Sequence, residues 1–168
     1  MSSKRTNSFL KVCMADALLG LMQRKDYGKI TINEIALAAG VNRSTWFRNF
    51  GSKGDALSFK LEQLWLDWAG RRGLDAARAY NQDTAAEFFL FIYAHRELLS
   101  LLLRSGLQSA VYEAFFAIMR PQFALDPQTC YESRFYSYGL FGLLGEWWNR
   151  DFRDTPEEML AIYRRMRG

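Results

Sequence analysis

Histidine, cysteine and proline are scarce in this chain, and each scarcity closes off a class of function. A single histidine, His95, and two cysteines far apart in sequence, Cys13 and Cys130, are too few ligands for a transition-metal site. The cysteines sit among apolar neighbours, so reduced core thiols are expected rather than a disulfide. There is no Gly-x-Ser-x-Gly elbow, no phosphate-binding P-loop and no carboxylate pair fixed by a recognisable motif, which argues against an enzyme and against a bound cofactor. No run approaches the roughly 18 uncharged apolar residues of a membrane span, and the first twenty residues do not follow the charged, apolar, small order of a secretory signal. A cytoplasmic protein without membrane contact is expected.

Only three prolines occur, and nowhere does a period-2 alternation of Val, Ile and Thr persist. What is present instead is long stretches of Ala, Leu, Met, Glu and Arg, with 49% hydrophobic and 15% aromatic residues to fill a core. An all-α fold of about nine helices follows. Charge is unevenly spread: residues 1–55 hold nine Lys or Arg against four Asp or Glu, whereas residues 56–168 hold 13 against 14. A basic first third on a neutral remainder suits a polyanion-binding head on a body with another task.

Periodicity and capping signals divide the chain further. Phe9, Cys13, Ala17 and Leu21, four apart with Leu10, Met14 and Leu18 alongside, predict an amphipathic helix over 7–25. Thr31-Ile32-Asn33-Glu34 reads as a capping box opening a short helix over about 32–39, which Gly40 ends by taking a positive φ. Asn42 is placed to cap a second short helix over 43–50, closed by Gly51. Trp46 and Phe50 are expected inside. Ser52 and Asp55 open a helix over about 53–70, followed by a loop within Gly70–Asn81. Further helices are expected from Asp83 to Arg104 with a break at His95-Arg96, from Leu107 to Met119 ahead of Pro121, from Asp126-Pro127 to Arg150, and from Thr155-Pro156 to Arg167.

The segment TINEIALAAGVNRSTWFRNFGSKGDAL, residues 31–57, resembles the helix-turn-helix of the TetR/AcrR family without a gap. The resemblance implies a helix-turn-helix DNA-binding domain over 1–55, with a linking helix to about 70, and a helical effector-sensing and dimerisation domain over 56–168. It implies that helix 43–50 enters the major groove of double-stranded DNA. Arg43 and Arg48 would then meet guanine edges, Thr45 a thymine methyl or a phosphate, and Ser44 and Asn49 bases or backbone. Thr31, Asn33 and Lys53 match positions that contact DNA in the family, Thr31 and Lys53 the phosphates, with help from the positive end of the first helix of the pair. Two positions depart from the pattern: Phe47 stands where Tyr is usual and Asn49 where His is usual. The first change removes a phosphate-directed hydroxyl; both positions remain candidate DNA contacts.

The segment 131–163, YESRFYSYGLFGLLGEWWNRDFRDTPEEMLAIY, is similar to the terminal two helices of small TetR-type regulators, including the DhaS-like branch. Residues 135–148 are apolar nearly all round, and a surface helix buries one face, so a second copy is the expected cover. Phe135, Tyr138, Phe141, Leu144, Trp147 and Trp148 are the candidate homodimer interface. The resemblance also implies a small apolar or aromatic effector among the middle helices, where Trp65, Trp68, Phe88, Phe91, Tyr93 and Phe115 offer aromatic surface. Repression is the family's commonest mode. A regulator acting through protein contact and a helical dimer with a degenerate head are the alternatives.

Overall fold

A computed structural model describes residues 2–74, 82–119 and 126–167. Among them are nine α-helices, one 3-10 turn and no strand, as the composition implies. The chain divides into two compact units, residues 1–61 and 62–168, here called the head and the body.

The head begins with α1, Ser2–Met22. Of the expected stripe Met14 and Leu18 are buried, joined by Ala15 and Met22, whereas Phe9, Cys13, Ala17 and Leu21 are not fully buried. Both sets repeat every four residues, so the sequence period allows either; Phe9 is exposed and Cys13 half-buried. A 3-10 turn, Tyr27–Lys29, leads to α2, Ile32–Ala38. The capping box forms as expected: the Glu34 amide donates to the Thr31 hydroxyl at 3.3 Å, and the Thr31 amide donates to the Glu34 carboxylate at 2.8 Å.

The end of α2 is a Schellman turn. Gly40 has φ +65°, its amide donates to the Leu37 carbonyl, and the Val41 amide reaches the Ala36 carbonyl at 2.9 Å. Next comes α3, Arg43–Asn49. Asn42 has the extended backbone of an N-cap, but its side chain makes no capping bond, contrary to expectation; the Thr45 amide bonds to the Asn42 carbonyl instead. Phe50, with φ −138°, leaves the helix in extended conformation, so the stop does not require Gly51 to be left-handed. Trp46 and Phe50 are buried and lie 5.2 Å apart between ring centroids.

Helix α4, Lys53–Arg71, starts on a second box in which Asp55 accepts from the Gly51 and Ser52 amides while its own amide donates to the Ser52 hydroxyl. Its residues Lys53–Leu61 fall in the head and Glu62–Arg71 in the body.

The body continues with α5, Gln82–Ala94, and α6, Arg96–Arg104, broken at His95 as expected. Then come α7, Gln108–Met119, α8, Pro127–Asn149, and α9, Pro156–Arg167. The loop expected within 70–81 and the helix stop at Pro121 fall mainly outside the described residues, which resume at Gln82 and Asp126. Helix α5 packs on α9, and α7 on α8. Phe89 bridges to Trp147 and Tyr163 at 6.2 and 5.9 Å. Asp126 caps α8 by accepting from the Thr129 amide at 3.0 Å, with Pro127 in the first turn.

Two consecutive left-handed residues without a glycine, Asp151 and Phe152, close α8. That conformation is disfavoured for L-residues. Burial of Phe152 against Trp147, 5.3 Å away, and a bond from the Trp147 indole N–H to the Asp154 carbonyl at 2.9 Å offset it.

Candidate nucleic-acid interface

The face of α3 turned to solvent carries Arg43, Ser44, Phe47 and Arg48; Thr45 and Trp46 lie on the buried side. Thus the sequence's nine candidate contacts do not form one uniform surface. Thr45 is buried, and its hydroxyl accepts from the Arg48 guanidinium at 3.2 Å, so it is not an outward reader in this conformation. Asn49 is half-buried. Its amide nitrogen donates to the Thr45 carbonyl at 2.7 Å, and its Oδ1 is buried with no partner among the described residues. Phe47 is 56% exposed, and the Arg43 guanidinium stands 5.2 Å from its ring centroid. From the sequence Phe47 is a candidate DNA contact that lacks the usual hydroxyl, with no partner assigned to its ring. The i, i+4 spacing of an arginine and an aromatic was the signal that the two side chains could meet.

Around α3 the polar groups are largely committed to the head itself. Thr31 and Asn33 are exposed. The Thr31 hydroxyl, however, donates to Glu34 at 2.8 Å, and the Lys25 ammonium donates to the same carboxylate at 2.6 Å. Lys25 chiefly, then the Thr31 amide and hydroxyl, hold the Glu34 carboxyl down to about 2. The positive end of α2 therefore already has an anion, which is why it is not an open phosphate seat. Lys53 donates to the Tyr27 and Ile30 carbonyls at 2.6 and 2.8 Å, and sits 4.2 Å above the Tyr27 ring. Burial pushes its ammonium pKa down. The lysine is first a brace, with at most one N–H left for a phosphate.

The body corrects two further groups. Trp65, Phe88, Phe91 and Phe115, expected to line an effector pocket, are buried against one another: Phe88 is 4.9 Å from Phe115 and Trp65 is 5.4 Å from Phe91. They are core, because edge-on aromatic rings at such distances leave no space between them. Tyr93 stacks on Trp147 at 5.9 Å. Trp68 is the exception, lining a hollow of about 280 Å³ with Leu64, Asp67, Arg71, Arg72 and His95.

On α8, Leu144 and Trp147 are buried within the protomer, so they are not interface residues. Phe141 and Trp148 are half-buried, while Tyr131, Phe135 and Tyr138 are 78%, 74% and 59% exposed. Sequence reading missed Tyr131 and also Arg134, whose guanidinium lies 3.4 Å over Phe116 and donates to the Tyr112 hydroxyl at 3.1 Å. Both cysteines are free, but Cys130 is exposed rather than a core thiol. No metal-binding group of His, Cys, Asp or Glu occurs among the described residues, and none of their helices is long and apolar enough to cross a membrane.

No curated protein matches the sequence. Two family matches cover most of it. Residues 15–57 match the family described as "Bacterial regulatory proteins, tetR family", a span that contains the whole of α2, the glycine turn and α3. Residues 81–167 match "Transcriptional regulator C-terminal region", over half of the chain and most of the body. With the helix-turn-helix geometry in place ahead of an all-helical body, the chain belongs to the TetR family of DNA-binding transcriptional regulators.

Proposed function

We propose that this regulator binds a pseudopalindromic operator as a homodimer, represses transcription there, and is released by a small apolar or aromatic effector. What carries the reading is the outward face of α3: Arg43, Ser44, Phe47 and Arg48 stand exposed directly after the Schellman turn at Gly40, in the position of a reading helix. Arg43 and Arg48 supply guanine-directed donors, Asn33 and the remaining N–H of Lys53 flank them for the backbone, and Thr31 reaches a phosphate only by exchanging its hydroxyl bond to Glu34. Thr45 and Asn49 support the reader from behind.

Dimerisation is supported by Tyr131, Phe135 and Tyr138, exposed at i, i+4 and i+7 along α8, with Phe141 and Trp148 at half exposure beyond them. An aromatic stripe of this kind is the composition of an interface core. Two-fold pairing would set two reading helices about 34–36 Å apart, one turn of duplex. For the effector, the hollow lined by Leu64, Trp68 and His95 together with Asp67, Arg71 and Arg72 offers an opening on the body, with the Arg72 guanidinium 4.6 Å over the Trp68 ring. An effector acts by preferring the arrangement that does not dock on DNA, and α4, which runs through both units, is the element through which that preference would be felt.

A head reduced to a scaffold, with regulation by protein contact, is the second reading, and the inward-turned Asn49 and braced Lys53 favour it. One experiment separates the two. The full chain is titrated with salt on the duplex upstream of its own gene, beside random competitor. A DNA reader loses affinity with a log–log slope of about 0.9 per phosphate neutralised and keeps its preference over competitor. Equal binding to both duplexes, or a strictly monomeric protein in sedimentation, would falsify the proposal.

A further inference from the structure

We infer that Phe47 and Arg43 work as one reading unit for a thymine beside a guanine, the ring meeting the thymine 5-methyl while the guanidinium grips the guanine edge. This rests on the reading of α3 as the DNA-facing helix. Phe47 is a large apolar side chain 56% exposed on a seven-residue helix whose other aromatic, Trp46, is buried. A phenyl ring has no donor for a phosphate. In the major groove the apolar group that distinguishes one base pair from the others is the methyl of thymine.

Arg43 lies one turn earlier on the same face, its guanidinium 5.2 Å from the ring centroid. A cation–π contact with the ring restricts where the guanidinium sits and leaves its N–H groups able to reach O6 and N7 of a guanine. The side chain is thereby ordered before DNA arrives, which removes part of the entropic cost of docking. The separation is compatible with neighbouring pairs: these are about 3.4 Å apart along the duplex, and lateral offset of their edges adds to that, so groups 5.2 Å apart can reach adjacent pairs. Two other α3 candidates do not compete for this step: the Thr45 hydroxyl accepts from Arg48, and the Asn49 amide donates to its own helix.

The test works without a known operator. The full-length chain selects duplexes from a randomised pool at low ionic strength, and each thymine of the selected duplex is then replaced singly by deoxyuridine, which removes the 5-methyl and nothing else. One thymine per half-site, next to a guanine, should weaken binding about fourfold when replaced, the factor expected for one buried methyl. Phe47→Ala should abolish that sensitivity while leaving thermal unfolding unchanged, because the ring is exposed. Phe47→Leu should keep the methyl sensitivity but weaken the preference for the guanine, since the ring face that orders Arg43 is gone. Arg43→Ala should lose the guanine preference outright. A uracil effect of equal size in the wild type and Phe47→Ala, or no sensitive thymine beside a guanine, overturns the pairing while leaving α3 as a DNA reader. Failure to enrich any duplex sinks the DNA-reading proposal itself.

Discussion

Head and body reach a stable helical core by different means. In the head the helices around the reading face are short, seven residues each for α2 and α3, and they are held by local polar devices: the Thr31–Glu34 and Ser52–Asp55 boxes, the Schellman turn at Gly40 and the Lys53 brace. Helices of two turns are not stable alone, so caps and a few buried side chains such as Trp46 decide whether they form. The body is built from helices of 9 to 23 residues and from rings packed edge to face, Phe88, Phe91, Phe115 and Trp147 among them. The difference teaches where each unit is vulnerable. Backbone geometry and hydrogen bonds limit the head, whereas buried volume limits the body.

Substitutions can break or sharpen that contrast. The largest effect is expected in the body: Phe115→Ala, at a fully buried ring, should cost about 3–5 kcal/mol in chemical denaturation. A loss no greater than that of an exposed residue would mean the aromatic cluster is not the body's core. In the head, Gly40→Ala should cost about 1–2 kcal/mol from forcing a side chain into the left-handed region. A Cβ there meets nothing within 4 Å, so the penalty is conformational and not a clash. If thermal unfolding of that variant matched wild type, the turn would not be limiting.

Gly142→Ala lies on the exposed face of α8, where a Cβ also meets nothing within 4 Å. Here φ is helical, so the change should raise protomer stability by about 0.5–1 kcal/mol through helix propensity. Sedimentation should show weaker self-association if that face is the homodimer seam. Unchanged association would move the seam elsewhere.

The smallest effect is a pH dependence of the head. Glu34 is held at about 2, below its ordinary value near 4.5, so its capping and Lys25 contacts contribute fully above the ordinary value and are lost as pH falls toward about 2. Melting curves across that window should show a steeper decline for wild type than for Glu34→Gln. Parallel declines would remove the carboxylate from the account.

The helix-turn-helix was legible because its signals are local: a box residue three positions from its partner, a glycine where φ must be positive, an aromatic between polar neighbours. Helix order in the body was legible for the same reason, through His95, Asp126-Pro127 and Thr155-Pro156. Which face of a helix turns inward was less so. Along α1, the stripe through Cys13 and the stripe through Met14 have the same period, and only the surrounding helices choose between them. Leu144 and Trp147 were assigned to an interface because α8 is apolar nearly all round, and such a helix does not declare which side its own protomer covers. Aromatic clusters are equally mute: Phe88, Phe91 and Phe115 could have lined a cavity or filled one, and their ring distances decide for filling. Thr45, Asn49 and Lys53 carry the right chemistry for DNA, but bonds made to neighbours three to 26 positions away redirect them.

The Lys53 brace has a consequence for anyone moving this reading surface to another scaffold. One ammonium fastens two carbonyls that precede it by 26 and 23 residues, so the stretch from Tyr27 to Lys53 is a hoop clasped at its base. Excising 31–50 would cut the clasp away. A transplant has to run at least from 27 to 53 and bring with it a surface equivalent to α1, on which α2 packs, and its clasp must stay lysine, because a flat guanidinium fork does not converge on two carbonyls as a rotating ammonium does.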